Sequence, residues 1–388
     1  MATAPAPISL FAPTTRALRI SRAQTIEPDS ARAAAEIASQ LGADPDVVFC
    51  FVSPAYDLAV LGAALASAFP EVLVVGCTTS GQVGSSGYQS GGITAAALGG
   101  VVVKSLLLEP LDQCVEDLDE FIARSSARLA ALHGVPNTFG FLLADGLSMM
   151  EERLIAGLHA AAGEVPIVGG SAGDDLAFNA THVLHEGRFR SNAAVLTLVS
   201  CPTPFSVMNF AHHEPSDFRM AITKAIPDER LVLEIDGIPA AEAYASLVGV
   251  PVAELGPEVF SKHPVTLRVN DAHYIRSIQK VEPDGSIRFY CAIEEGLVLR
   301  LARPSRVIET LNESFDAAHR ELGGRPDVVL GCDCILRRLE LESMGMDDEV
   351  GALLARRRVT GFSTYGEQLN GVHVNQTFVG VALRSNHG

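Results

Sequence analysis

TFGFLLADG (Thr138–Gly146), VPIVGGSAGDD (Val165–Asp175) and AAVLTLVS (Ala193–Ser200) surround a helical stretch from Met150 to Ala162, and their order decides the fold. Their apolar runs lack alternation, the mark of strands buried on both faces. Between them Leu154, Leu158 and Ala161 recur at helical spacing. The pattern is strand, helix, second strand with a Gly/Ser-rich turn, variable excursion, closing strand. It occurs twice more. VVFCFVS (from Val47), a helix from Asp57 to Phe69, VLVVGCTTSGQVG and ITAAALGG form one copy. DVVLGCDC (from Asp327), a helical stretch to Arg357, VTGFSTYGEQ and QTFVGVALRS form another. Each spans roughly 50 to 60 residues, room for a strand–helix–strand unit and a hairpin.

Gly76, Gly169 and Gly361 end the second strands. A missing Cβ there serves a tight turn, or lets backbone or ligand approach closely. Neither GxGxxG nor a Walker A loop is present, so no nucleotide site is assigned. From Phe205 to Arg300 short strand-like runs alternate with turn signals such as Asp236-Gly237 and Pro283-Asp284-Gly285, which predicts an antiparallel β block. The expected fold class is α/β (α+β): repeated strand–helix–strand–hairpin units with helix-covered sheets, and a mainly antiparallel β insertion. Two domains suit 388 residues. We place an N-terminal extension at 1–30, a first domain at 31–227 and a second at 228–384, divided at PDER (Pro227–Arg230).

Bulk properties narrow the function. A net charge of −17 repels phosphate backbones and anionic lipid, so neither nucleic acid nor membrane is an expected partner. Seven scattered cysteines suit a reducing compartment. Met1–Thr15 lacks the basic start and apolar run of a secretory signal. No stretch reaches the roughly 18 apolar residues of a spanning helix, so a cytoplasmic protein is expected.

VPIVGGSAGDD (Val165–Asp175), ITKA…LVLEIDGIPAAEAYASLVG (Ile222–Gly249) and GFSTYGEQLN…HVNQTFVGVAL (Gly361–Leu383), in that order, resemble the FIST family over nearly the whole chain. The resemblance implies a bacterial sensory module that binds a small ligand and acts on separate signalling partners, not an enzyme. NFAHHEPSD (Asn209–Asp217) resembles a subset of that family, the NosP haem-based nitric oxide sensors. That likeness implies a haem cofactor and a histidine kinase or cyclic-di-GMP enzyme as partner.

The residues themselves supply the candidates. His212 and His213 end a strand-like run, so alternation sends them to opposite faces, His212 with Met208 and Phe210. A haem needs a neutral imidazole in an apolar slot, which makes His212 the expected iron ligand, His213 the alternative and Glu214 a partner for the ring N–H. Arg337, Glu367 and Asn375 match polar positions of the family's C-terminal half. A cation, a carboxylate and an amide at one rim would recognise an amino acid or other small metabolite. Cys332-x-Cys334 lacks a second pair and reads as buried thiols, and His182 and His185 as loop residues. Ser171 in GGSAG is the weaker, hydrolase candidate, without the following helix of a nucleophile elbow.

Overall fold

Two in-register parallel strands form the heart of each repeat, joined by one helix in the first two and by two, Ile335–Ser343 and Asp347–Arg356, in the third. The pairs are Val47–Val52 with Leu73–Thr78, Thr138–Ala144 with Ile167–Ser171, and Val328–Cys334 with Val359–Thr364. This arrangement comes from a computed structural model that describes residues 16–42, 44–130, 134–269 and 272–385. The closing strands Ile93–Gly99, Ala194–Ser200 and Phe378–Leu383 lie antiparallel on the far side of each first strand. Local signals fit: Asp57 caps helix Leu58–Ala68 by accepting from the Ala59 and Val60 N–H groups.

Each repeat begins earlier than its sequence pattern suggests. Arg19–Thr25, Val102–Leu108 and Phe205–Phe210 pair with the three closing strands. Helices Ser30–Leu41, Leu118–Leu129 and Val307–Glu321 follow them in the chain. The expected N-terminal extension therefore contains the edge strand of the first sheet, while residues 1–15 lie outside the described residues.

The variable excursions are hairpins, and each joins a neighbouring repeat's sheet. The first repeat's Gln82–Gly84 pairs with Val359–Thr364 of the third. The second's Val183–His185 pairs with Leu73–Thr78 of the first. The third's Glu367–Leu369 pairs with Ile167–Ser171 of the second. The exchange is cyclic, and the three six-stranded sheets share one strand order. Their inner faces meet in a core that includes Phe49, Phe51, Phe139, Phe141, Leu330 and Phe362. Phe51 stacks on Phe362 at 4.7 Å and Phe49 meets Phe141 edge-on at 5.2 Å. Helices cover the outer faces. A strand buried on both sides needs the unbroken apolar runs from which the repeats were read.

The three glycines have one cause. Gly76, Gly169 and Gly361 sit beside Cys50, Leu142 and Gly331 of the neighbouring parallel strand. A Cβ on them would lie 1.9, 1.9 and 1.8 Å from those residues' carbonyl oxygens. Backbone approach, rather than a turn or a ligand rim, requires glycine here.

Between edge strand Phe205–Phe210 and helix Val307–Glu321 of the third repeat lies the antiparallel insertion. Its eight-stranded sheet runs from His213–Ile226 to Val298–Pro304, with helices Ala240–Val248 and Pro257–Lys262. It has its own core around Val232, Tyr244, Phe260 and Leu299. Both of its ends lie side by side, His213 opposite Pro304, with the Ser305 N–H donating to the His212 carbonyl at 2.6 Å. The division expected at 227/228 falls in the turn Pro227–Glu229, between strands that pair with each other. The structural units are thus a discontinuous three-repeat body and the insertion.

Candidate functional site

Where the insertion faces the second repeat, a cleft of about 300 Å³ opens, with Leu147, Glu151, Phe178 and Tyr365 from the body and Arg230 and Tyr290 from the insertion. One wall is aromatic: Phe178 stacks on Tyr365 at 5.2 Å, and Tyr290 lies 6.1 Å from both rings. Charge gathers beside it. Arg230 is buried in a left-handed conformation, φ 52°. Its Nη2 reaches Glu151 and Glu152, each at 2.6 Å, and its Nη1 donates to the Tyr290 carbonyl. Both acids occupy the first turn of helix Glu151–Ala162, where the helix dipole favours them. Burial pushes the Glu151 carboxyl up to about 6 against the pull of Arg230.

A buried polar layer adjoins this ion triad, on the hairpin that the third repeat lends to the second. Gln368 donates to Ser171 Oγ at 3.2 Å and to His373 Nδ1 at 3.0 Å. Burial drives the His373 imidazole down to about 4, although Glu152 pulls it up. Glu367 accepts from the Thr377 N–H at 3.1 Å and its hydroxyl at 2.6 Å. Burial raises its carboxyl well above the usual range. Among the described residues His373 Nε2 and both amide atoms of Asn375 have no hydrogen-bond partner although the residues are buried.

The second cluster lies at the root of the insertion. Strand Phe205–Phe210 stops before the histidines, so alternation does not govern them. His212 and His213 lie 4.1 Å apart and turn Nε2 toward one carboxylate, Glu340, at 3.0 and 3.1 Å. The expectation of opposite faces is thereby corrected. Met208 and Phe210 are buried as expected, and Phe210 stacks on His212 at 5.7 Å. Glu340 stands on helix Ile335–Ser343, while Glu214, the partner expected from sequence, is exposed. Burial pushes His212 down to about 4. Burial also works to raise Glu340, but the two imidazole hydrogen bonds outweigh it and hold the carboxyl at about 2. Haem ligation needs a ring nitrogen facing an apolar slot as wide as a porphyrin. Here His212 Nε2 faces a carboxylate, with Phe210 and His213 against the ring, so this arrangement does not fit a haem.

The FIST N domain matches residues 46–238 and the FIST C domain residues 240–370. The chain belongs to the FIST-domain proteins. FIST domains are sensory modules that bind small ligands and signal to partners. This FIST chain is 22% identical over 250 residues to an uncharacterized protein of Methanocaldococcus jannaschii. The match covers 59% of this chain and 48% of the relative, so the chain spans about half of that relative's length.

The other FIST candidates fall into place around these clusters. Arg337, fully buried, pairs with Asp333 at 2.5 Å, donates to the Tyr88 hydroxyl at 3.3 Å and lies 4.8 Å from the Phe210 ring centre. It thus pins the exchanged hairpin Gly87–Gln89 to the third repeat. Among the described residues no hydrogen bond or ion pair joins it to Glu367 or Asn375, which belong to the buried layer. Ser171 is a fully buried strand residue. Cys332 and Cys334 are buried thiols pushed up by burial. His185, expected in a loop, is a buried strand residue bonded to Ser105 at 2.8 Å. Glu340, Arg230, Glu151 and Tyr290 were not singled out from sequence. A helical 333/337/340 spacing of charged residues beside apolar ones was the available signal for Glu340; none marks Arg230.

Proposed function

We propose that this FIST protein is a receptor for a small zwitterionic metabolite of amino-acid size, held in the cleft between body and insertion, and that occupancy is passed to a separate signalling protein. One observation carries the reading: an aromatic wall of Phe178, Tyr290 and Tyr365 faces charged groups across about 300 Å³. Such a space matches a small ligand whose apolar part packs on the rings while its charges meet Glu151, Lys280 and Arg288. A ligand touching both sides favours the arrangement of body and insertion that it binds more tightly, in proportion to its differential affinity. A histidine kinase or cyclic-di-GMP enzyme is the partner class we assign, and the seven free cysteines support a cytoplasmic setting. Nothing in this reading calls for catalysis.

The test is thermal denaturation against a panel of amino acids and small polar metabolites. A ligand at 100 times its Kd stabilises by about 2.7 kcal/mol, and Tyr290→Ala removes the effect. In parallel the protein is reconstituted with haem, reduced and exposed to nitric oxide. A stoichiometric Soret band lost in His212→Ala, with no stabilising metabolite, overturns the receptor reading in favour of a haem-based nitric oxide sensor.

A further inference from the structure

We infer that His212, His213 and Glu340 bind one divalent transition-metal ion at the root of the insertion. Two imidazoles and one carboxylate form the donor set of zinc and ferrous sites, and they disfavour calcium and magnesium, which prefer all-oxygen shells. Spacing carries the argument further. An ion about 2.1 Å from each donor places adjacent donors about 3.0 Å apart at a right angle and about 3.4 Å apart in a tetrahedron. The two Nε2-to-carboxylate distances are 3.0 and 3.1 Å. One donor atom from each of the three residues lies within 4.8 Å of the others. Two of the three edges thus stand at shell length, and the two imidazoles, whose donor atoms lie within 4.8 Å, have to close toward about 3.4 Å to share the ion.

Position agrees. Among the described residues Nδ1 of both rings is buried without a partner. When the ion takes the Nε2 lone pairs, each proton that bonded Glu340 either moves to Nδ1 of its ring, which then needs a water or a small shift to find an acceptor, or leaves to solvent. The three donor side chains are buried, so an ion reaches them only when the segment carrying the exposed Ala211 and Glu214 opens. The histidines sit where the chain enters the insertion, beside the strand by which it leaves, whereas Glu340 belongs to a body helix. A bound ion therefore fastens the insertion's root to the body. This inference does not rest on the cleft reading.

The test uses tag-free protein stripped with a chelator and titrated with Co²⁺ alone, without porphyrin. One Co²⁺ per chain is expected, with a visible d–d band that one equivalent of Zn²⁺ abolishes, and a rise in the melting temperature. His213→Ala and Glu340→Gln, shown to be folded by circular dichroism, are expected to bind at least tenfold more weakly, and Glu214→Gln normally. Absence of stoichiometric binding by folded wild type overturns the proposal, leaving a purely hydrogen-bonded trio. Undiminished binding by Glu340→Gln overturns it equally.

Discussion

Arg230 of the insertion reaches Glu151 of the body at 2.6 Å, both side chains almost wholly buried, and so ties the two structural units together at the floor of the cleft. Removing one member of a buried ion pair strands the other charge, at a cost of about 3 to 5 kcal/mol. Arg230→Met is therefore expected to destabilise by about 3 kcal/mol and to open the insertion to limited proteolysis. Glu151→Gln/Glu152→Gln on the same background should recover part of that loss. Urea denaturation and protease digestion measure both, and a neutral Arg230→Met would remove the tie.

Threefold equivalence makes a sharper prediction at the glycines. Gly76→Ala, Gly169→Ala and Gly361→Ala each drive a methyl into a neighbouring carbonyl within 2 Å. Because backbone must move, a loss of about 3 kcal/mol or more is expected at all three. Gly42→Ala, with nothing within 4 Å but a φ of 75°, should cost less. Equal losses at Gly42 and Gly169 would contradict the close-approach argument.

His373 sets a pH dependence. Buried and accepting from Gln368, it refuses a proton until about pH 4, whereas the unfolded chain takes one near 6.5. The unfolded state thus binds more protons between those limits, and stability falls as pH drops through that window. Comparison with His373→Gln isolates this from Glu151, whose raised carboxyl acts the other way. The stability of wild type relative to the variant should fall by about 2 kcal/mol from pH 7 to pH 5. A constant difference would show that the imidazole titrates normally.

Glu367 runs opposite. Its carboxyl is raised by burial, so its contribution is lost as pH rises through the folded value. Glu367→Gln keeps an oxygen for the Thr377 donors and removes the ionisation. The variant is expected to equal wild type below about pH 4 and to exceed it increasingly as pH rises above the unfolded carboxyl's range, as denaturation at pH 4 and pH 7 would report.

The repeats were legible because a strand covered on both faces tolerates few polar residues: VVFCFV, TFGFLLA and the apolar face of Leu154 and Leu158 have few other readings. Arg19–Thr25 and Val102–Leu108 were less legible, since edge strands are only partly buried and mix polar with apolar residues. Pairing partners escaped altogether: nothing in QVG says that it will lie against Phe362 rather than within its own repeat. The histidine pair stood out, but Glu340 lies 128 residues from His212 and only tertiary folding joins them. The cleft was invisible for the same reason, because Tyr290 and Phe178 meet across two units.

The hairpin exchange governs how the molecule can come into being. While the ribosome is still making the first repeat, that repeat's sheet lacks Val183–Arg190; the second waits for Glu367–Val374, and the third closes on strands made long before. No repeat can mature alone, and loops this long make such closure slow. Separately expressed pieces divided near residue 239 would each carry a hairpin, residues 82–89 on the first and 367–374 on the second, whose sheet lies on the other piece, so the two halves should be insoluble apart and able to reassemble only when refolded together.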